Sequence, residues 1–387
     1  MKLLVSEIFE FVRNGLNIKQ NSNEGGLPIT RIETIANGEI NLKKVGYGGV
    51  SLNKAKRYLL EDGDILFSHI NSVPHLGKCA LYEKNLGQLV HGMNLLCFRA
   101  NKKKLLPKFA LYMLRSNVFR NQLTKSIKKA VNQASVSTTD IKKIRLNIPS
   151  LIEQKRITTL LDSANKLLRL RKKTILKLTE LEESIYKQLI KDFDEVNTNI
   201  SLSELIKKTN NINPVKAYSK DEFTYIDIAS VDNKSKSIST PKVVYGKNAP
   251  SRARQVLQIN DILVSTVRPN LNAIAKIDTS YHKPIASTGF CILRCDESKL
   301  LPEVLFSIVK SKNFIDEMVK MTNGASYPAV TDKIVKSYKI SLVPMSLQNK
   351  FAKIIRNNEI YKTKLVAHNG KLNSLFNSLQ HQLFEKV

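Results

Sequence analysis

One helical pattern occurs twice in this chain, and no single compact core accommodates both copies side by side with everything else. Residues 149–193 and 343–384 carry proline only at their starts, Pro149 and Pro344, and then space apolar residues at helical intervals over about 40 positions. In the first copy the near-heptad seam is Ile157, Leu161, Ala164, Leu168, Arg171, Ile175, Leu178, Leu181, Ile185 and Leu189. In the second it is Phe351, Ile355, Asn358, Tyr361, Leu365, His368, Leu372, Leu375, Leu379 and Leu383. A lone helix cannot bury such a stripe, whereas two stripes can bury each other. Asn358, His368 and Gly370 make the second seam the poorer. Glu182 and Glu183 read as a solvated helix face.

The stretches before the helices repeat as well. Gly63, Asp64, Ile65, Leu66, Phe67 and Ser68 match Asn260, Asp261, Ile262, Leu263, Val264 and Ser265. Further matches follow in the same order: Arg99 with Arg294, Leu106 and Pro107 with Leu301 and Pro302, Ser116 with Ser311, and Phe119 with Phe314. Then come Thr139 and Asp140 with Thr331 and Asp332, Gln154 with Gln348, Leu181 with Leu375, and Ser184 with Ser378. Matches in one order with small drift mark a tandem duplication. Its four pieces are a globule over 1–148, a long helix over 149–196, a second globule over 197–342 and a second helix over 343–387. The fold class expected is α+β: two pseudo-symmetric mixed α/β globules separated by a pair of long antiparallel coiled-coil helices. Within the globules, helices are expected over 3–12, 107–129 and 202–207, and strands over 28–32, 64–68, 224–228 and 261–265.

Charge narrows the partner. The chain has 62 Lys plus Arg against 33 Asp plus Glu, a net +29. A surface this basic repels itself unless it meets a polyanion, and phosphate neutralisation rewards clustered Lys and Arg. The four cysteines, Cys79, Cys97, Cys291 and Cys295, form no CxxC pair, which favours buried thiols in a reducing compartment. The N-terminal stretch carries Glu7, Glu10 and Arg13 and does not read as a signal peptide. No apolar run approaches the ~18 residues that span a bilayer, so a cytoplasmic location is expected.

Catalytic motifs are missing. There is no GxxxxGK[ST] loop, no HExxH, no GxSxG and no Pro-Asp opening of a nuclease carboxylate cluster. Asn213, Pro214 and Val215 lack the second proline and the ring of an amino-methyltransferase motif. The six histidines show no metal-ligand spacing; His69, His75 and His91 read as polar loop residues or DNA contacts.

Residues suited to nucleic acid are better represented. In the first globule, Lys43, Lys44, Tyr47, Lys54 and Arg57 precede the Asp64 strand, and Ser68, His69 and Asn71 follow it. Lys128, Lys129 and Gln133 come later. In the second globule, Lys247, Arg252 and Arg254 precede the Asp261 strand, Thr266, Arg268 and Asn270 follow it, and Asn323 and Ser326 come later. Arg, Asn, His and Ser on loops reach base edges while Lys holds phosphates. Helices of ~40 residues extend ~60 Å, close to two turns of B-DNA.

With these features together, the chain resembles the specificity subunit of type I restriction-modification systems. The resemblance covers essentially all 387 residues. It rests on the two Asp64 and Asp261 strings, and on the run from Pro149 to Gln154 and from Val343 to Gln348 into each long helix. Leu181 to Ser184 and Leu375 to Ser378 near the helix ends complete it. Ser150 and Val343 stand where the family commonly has paired prolines, and Ser346 where it commonly has an acidic residue. The resemblance implies two target-recognition domains that each read half of a split double-stranded DNA sequence, held apart by the helices. It implies a chain with no catalytic residues, no metal and no cofactor of its own. Two modification subunits that methylate adenine with S-adenosylmethionine would dock on the helices, and restriction subunits using ATP and Mg would join to cut. On this reading the helix-pair and subunit interface comprises Gln154, Ile157, Leu161, Leu168, Ile175, Leu178, Leu181, Ile185, Gln348, Phe351, Ile355, Leu365, Leu372, Leu375 and Leu379. The alternative is a stand-alone basic nucleic-acid-binding scaffold without a methylation role. Methylated adenines mapped with and without the gene distinguish the two.

Overall fold

The structure is a computed structural model that describes residues 1–21, 25–130, 133–191, 199–322 and 328–385. It divides into two compact units, residues 1–172 with 367–387 and residues 173–366. Each unit joins a globule to part of both long helices.

Unit 1 is built on a four-stranded antiparallel sheet ordered Phe9–Asn14, Leu96–Ala100, Ile65–Phe67, Cys79–Leu81. Its central strands are apolar on both faces because the helices Pro107–Arg115 and Asn117–Thr124 and the start of the central helix cover one face, and Ile35, Leu60, Leu89 and Leu95 pack on the other. Lys2–Leu4 pairs with Arg145–Asn147, which brings the two ends of the globule together beside the long helix. Unit 2 repeats this frame strand for strand: Ile206–Lys207, Phe290–Cys295, Ile262–Ser265, Ile274–Lys276, with Asn199–Ser201 paired to Lys339–Ser341.

A second sheet shows the same relation in less regular form. In unit 2 it is ordered Lys242–Tyr245, Glu222–Ile226, Ile285–Ser287, Ala253–Val256, with a parallel central pair. In unit 1 the corresponding chain, among the described residues, makes single bridges: Ile29 antiparallel to Gly46 and parallel to Val90, and Val90 antiparallel to Leu59. The pairing order is the same. The regular ladder is lost where Gly46 and Gly92 interrupt the apolar alternation.

Several local expectations need correction. Residues 3–12 are not one helix: a single turn, Val5–Ile8, lies between two strands, and residues 202–207 do the same with Leu202–Leu205. Phe9 and Val12 are buried through strand pairing with Leu96–Ala100, which overrides the short helical period. The helix expected over 107–129 breaks at Ser116, whose extended backbone lets its hydroxyl accept the Phe119 amide at 3.2 Å. It ends at Thr124, and Lys128–Ala130 is a strand. Residues 28–32 make bridges at Ile29 and enter a 3₁₀ turn, Ile32–Ile35. The match of Thr139 and Asp140 with Thr331 and Asp332 is two residues out of register. The equivalent caps are Ser137 and Thr331, on the short helices Thr138–Lys142 and Asp332–Lys336.

The long helices are Leu151–Lys191 and Met345–Glu385, 41 residues each. In unit 1 the start of the first packs with the end of the second: Ile157 and Leu161 share a core with Phe384, Phe376, Leu379 and Leu383. In unit 2 the end of the first packs with the start of the second: Ile185 and Tyr186 lie against Phe351, Ala352 and Ile355. The helices are therefore antiparallel.

Candidate nucleic-acid interface

The residues matched between the two halves turn out to hold the frame. Asp64 is buried, and its two oxygens accept Arg99 Nε and Nη2 at 2.8 Å each. Asp261 is buried and does the same with Arg294 at 2.8 and 2.7 Å. The Glu61 and Gln258 amides donate to the same carboxylates. Gly63 and Asn260 both take a positive φ to make the turn into the strand. Gln154 accepts the Leu106 amide and donates to the Lys104 and Pro149 carbonyls. Gln348 repeats all three bonds with Leu301, Lys299 and Val343. These groups lock each globule to the start of its own helix.

At the far end of the strand the backbone repeats while the side chains differ. In unit 1, Ile70–Asn71 pairs with Gln133–Ser135, which pairs with Lys128–Ala130, and the Val136 amide donates to the His69 carbonyl. Asn71, Lys128, Lys129 and Gln133 thus come to one three-stranded sheet. Lys128 is exposed and Asn71 half-buried, while the side chains of Lys129 and Gln133 lie outside the described ones. In unit 2 the Val330 amide donates to the Thr266 carbonyl, and the Arg268 amide to the Pro328 carbonyl. Arg268 sits at φ +50° and is exposed with Asn270 on the turn Pro269–Leu271. Asn323 and Ser326 lie outside the described residues.

Three expected surface contacts are corrected by burial. Ser68 is 1% exposed, and its hydroxyl accepts from Asn71 Nδ2. His69 is 6% exposed, with Nε2 3.2 Å from Asn14 Nδ2. Thr266 donates its hydroxyl to the Gly289 carbonyl and is likewise buried. Ser68 is tied to the turn after its strand, His69 to the end of the Phe9–Asn14 strand and Thr266 to the turn before Phe290–Cys295, so each braces its loop from beneath. Burial also lowers the pKa of His69 to about 4, so the ring is neutral near pH 7 and adds no charge toward a phosphate. His91 is buried too, donates Nε2–H to the Leu95 carbonyl and is lowered to about 4 by desolvation.

The remaining basic residues stay on the surface. Lys43 and Lys44 are exposed on the turn Leu42–Lys44, and Lys54 and Arg57 on the turns Leu52–Ala55 and Lys56–Tyr58. Tyr47 is half-buried and exchanges backbone bonds with Asn21. In unit 2, Lys247 and Arg252 are exposed and Arg254 is half-buried. The Arg252 carbonyl accepts the Thr288 amide, and neighbouring Gly289 binds Thr266, so Arg252 lies at the same sheet end as the 266–270 loop. The sequence reading missed Arg13 and Asn14, where the first sheet strand ends. Asn14 links His69 to the Met93 carbonyl, and Arg13 donates to the Arg57 carbonyl at 2.6 Å. Reading residues 3–12 as a helix hid that end.

On the helices, Gln154, Ile157, Leu161, Gln348, Phe351 and Ile355 are buried, and Leu168, Ile175, Leu178, Ile185, Leu365, Leu372 and Leu379 are half-buried. Leu181 and Leu375 are 48% and 65% exposed and do not enter the seam. Glu182, read as solvated, is 6% exposed and binds Lys362 at 2.7 Å. A straight helix drifts off a seven-residue repeat, so the position four after Leu178 faces inward rather than the one three after it.

The family model described as the type I restriction modification DNA specificity domain matches residues 3–180. A Methanocaldococcus jannaschii protein named as the specificity subunit of the type I restriction enzyme MjaX is 31% identical over 369 residues, 91% of this chain and 85% of that one. The chain belongs to the specificity subunits of type I restriction-modification systems. The EcoKI specificity subunit of Escherichia coli strain K12 is 31% identical over 158 residues, 40% of this chain and 34% of its own length. The fold agrees across nearly the whole chain. The specificity subunit from M. genitalium superposes with a TM-score of 0.57 at 14% identity, over 99% of this chain and 96% of that one. A chain from a structure on complex assembly and conformational transition of a type I system gives 0.57 at 18%, over 99% and 97%. This specificity subunit therefore serves DNA-sequence specificity in a restriction-modification system. Among its described residues, no helix is long and apolar enough to cross a membrane.

Proposed function

We propose that each globule reads one half of a split DNA sequence and that the paired helices fix the number of bases between the halves. The observation that carries this reading is the contrast between frame and loops. Asp64 with Arg99 and Asp261 with Arg294 hold the same strand in the same way, yet the chain leaving each strand presents Asn71 in one unit and Arg268 with Asn270 in the other. One frame with two loop sets is what two different half-sites require. Two heads on one scaffold also bind at high effective concentration once the first is seated.

The outer helix faces supply the second role. Leu160, Leu167, Leu170, Leu176 and Leu181 on the first helix, and Ile354, Ile360, Tyr361, Val366 and Leu375 on the second, are exposed apolar side chains. They suit docking of two modification subunits, which would bring S-adenosylmethionine and methylate adenine, and of restriction subunits that use ATP and Mg. The chain itself would contribute no catalytic group, and it would work in the cytoplasm. The exchangeable pieces would be 1–148 and 197–342, with the helices 149–196 and 343–387 kept. Replacing residues 1–148 with the corresponding domain of another specificity subunit, and mapping methylated adenines in the cell, tests the reading. One half-site should change and the other persist. A change in both, or in neither, contradicts two independent heads.

A further inference from the structure

Unit 1 holds a cleft of about 480 Å³ lined by Ile18, Gln20, Arg31, Ile32, Glu33 and Asn94. None of these residues belongs to the basic stretches already discussed, but the cleft adjoins both. The segment beside Gln20 pairs with Tyr47 through Asn21, and the segment beside Asn94 receives Asn14, the partner of His69, on the Met93 carbonyl.

Arg31 is held in an unusual way. Its amide donates to Thr34 Oγ1 at 2.8 Å, at the entry of the turn Ile32–Ile35. Its Nε donates to Gln20 Oε1 at 3.1 Å and its Nη2 to the Asn21 carbonyl at 2.7 Å. Nε and Nη2 form one edge of the guanidinium, and the protein uses that edge. The other edge, formed by Nη1 and Nη2, is the fork that matches O6 and N7 of guanine in the major groove. Two glycines make room for this arrangement. A Cβ on Gly46 would lie 2.3 Å from Gln20 Oε1 and 2.4 Å from Arg31 Nε, and one on Gly92 would meet the Thr30 carbonyl oxygen at 2.1 Å. A guanidinium fixed before contact loses less side-chain entropy on binding.

The pseudo-symmetry sharpens the point. Arg31 opens the turn after the Ile29 bridge, and Asp227 opens the corresponding turn, Ile228–Ser230, after the strand Glu222–Ile226. Asp227 accepts from Ser230 and from Lys242. The backbone is kept while a five-donor side chain in one unit corresponds to an acceptor in the other. That is the pattern of a reading position rather than a frame position.

We infer that Arg31 is a specificity-determining residue that reads a G·C pair in the half-site of unit 1, with Glu33 in the same cleft able to accept from the cytosine N4 amine. This rests on the two-head reading above. The test uses the complex purified from cells through the full chain, incubated with randomised duplexes whose bound fraction is sequenced. With the native chain, one position of one half-site should be fixed as G·C. Arg31→Ala should release that position and lower affinity for the original sequence about 10- to 100-fold, leaving the other half-site intact. Arg31→Lys keeps the charge and removes the fork, and should release it as well. Gly46→Ala keeps the guanidinium but displaces it, and should relax the same position in a chain that melts like the native one. If Arg31→Ala weakens all sequences equally and lowers the salt slope by about one, Arg31 is a phosphate contact and the inference falls. It falls too if Arg31→Lys and Gly46→Ala leave the preferred sequence unchanged. A native complex that recovers two fixed half-sites under any of these outcomes leaves the two-head reading standing; one that recovers none overturns both.

Discussion

At the scale of single residues, the buried ion pairs carry the strongest stability claim. Asp261 lies inside with Arg294 largely covered, so replacing Asp261 with Asn leaves a desolvated guanidinium without its counter-charge. Such a change costs about 3–5 kcal/mol, and denaturant titration of Asp261→Asn should show a loss of that order. The histidines give a pH dependence. His69 and His91 titrate at about 4 inside the fold against an ordinary 6.5, so the unfolded chain binds more protons between those values. The stability these two rings contribute is therefore full above about pH 6.5 and falls as the pH drops toward about 4. Each ring contributes up to roughly 3 kcal/mol to that fall. His91→Gln, which retains a side-chain N–H and cannot titrate, should flatten the decline in melting temperature between pH 7 and 4.5; an unchanged slope would remove His91 from the account. The frame residues were legible in the sequence because duplication exposed them twice. The reading surface was less so. Ser68, His69 and Thr266 carry side chains suited to DNA, and only the fold reveals that they are buried. Arg31, by contrast, stands in no basic run, and its setting depends on Gln20 and Gly46, both distant in sequence.

Among the elements, the long helices were plain from apolar spacing and the short ones were not. One-turn helices such as Val5–Ile8 carry too few residues for a period to emerge, and strand pairing decides them. The second sheet was partly hidden for the same reason: in unit 1 it survives as single bridges around Ile29 and Val90. The seam between the helices was legible to within one position. The heptad reading chose Leu181, whereas Glu182 is inside and paired with Lys362. At the equivalent positions in unit 1 stand Leu168 and Phe376, so the same seam is ionic in one unit and apolar in the other. This difference makes a double-mutant cycle informative. Lys362→Leu alone strands a buried carboxylate and should destabilise by about 3 kcal/mol or more. Adding Glu182→Leu should recover part of that loss, because it removes the stranded carboxylate but also takes a counter-charge from half-buried Lys310 beside it. Additive losses in the cycle would mean that the two side chains do not act on each other.

For the whole molecule, the duplication organises everything above it. Two units of one design each bury a four-stranded sheet of the same order against an antiparallel pair of helix segments. A net charge of +29 gives the chain the electrostatics of a polyanion binder, and its family relations make that polyanion DNA. On the two-head reading, the helix pair sets the gap between two half-sites. Removing one heptad from each helix at equivalent positions, 172–178 and 366–372, preserves the seam and shortens each helix by about 10 Å, which is about three base pairs. Methylated adenines would then be mapped across the genome of cells carrying the shortened chain. Both half-sites should be unchanged, with a gap about three base pairs shorter. An unchanged gap, or new bases in either half-site, would contradict that reading.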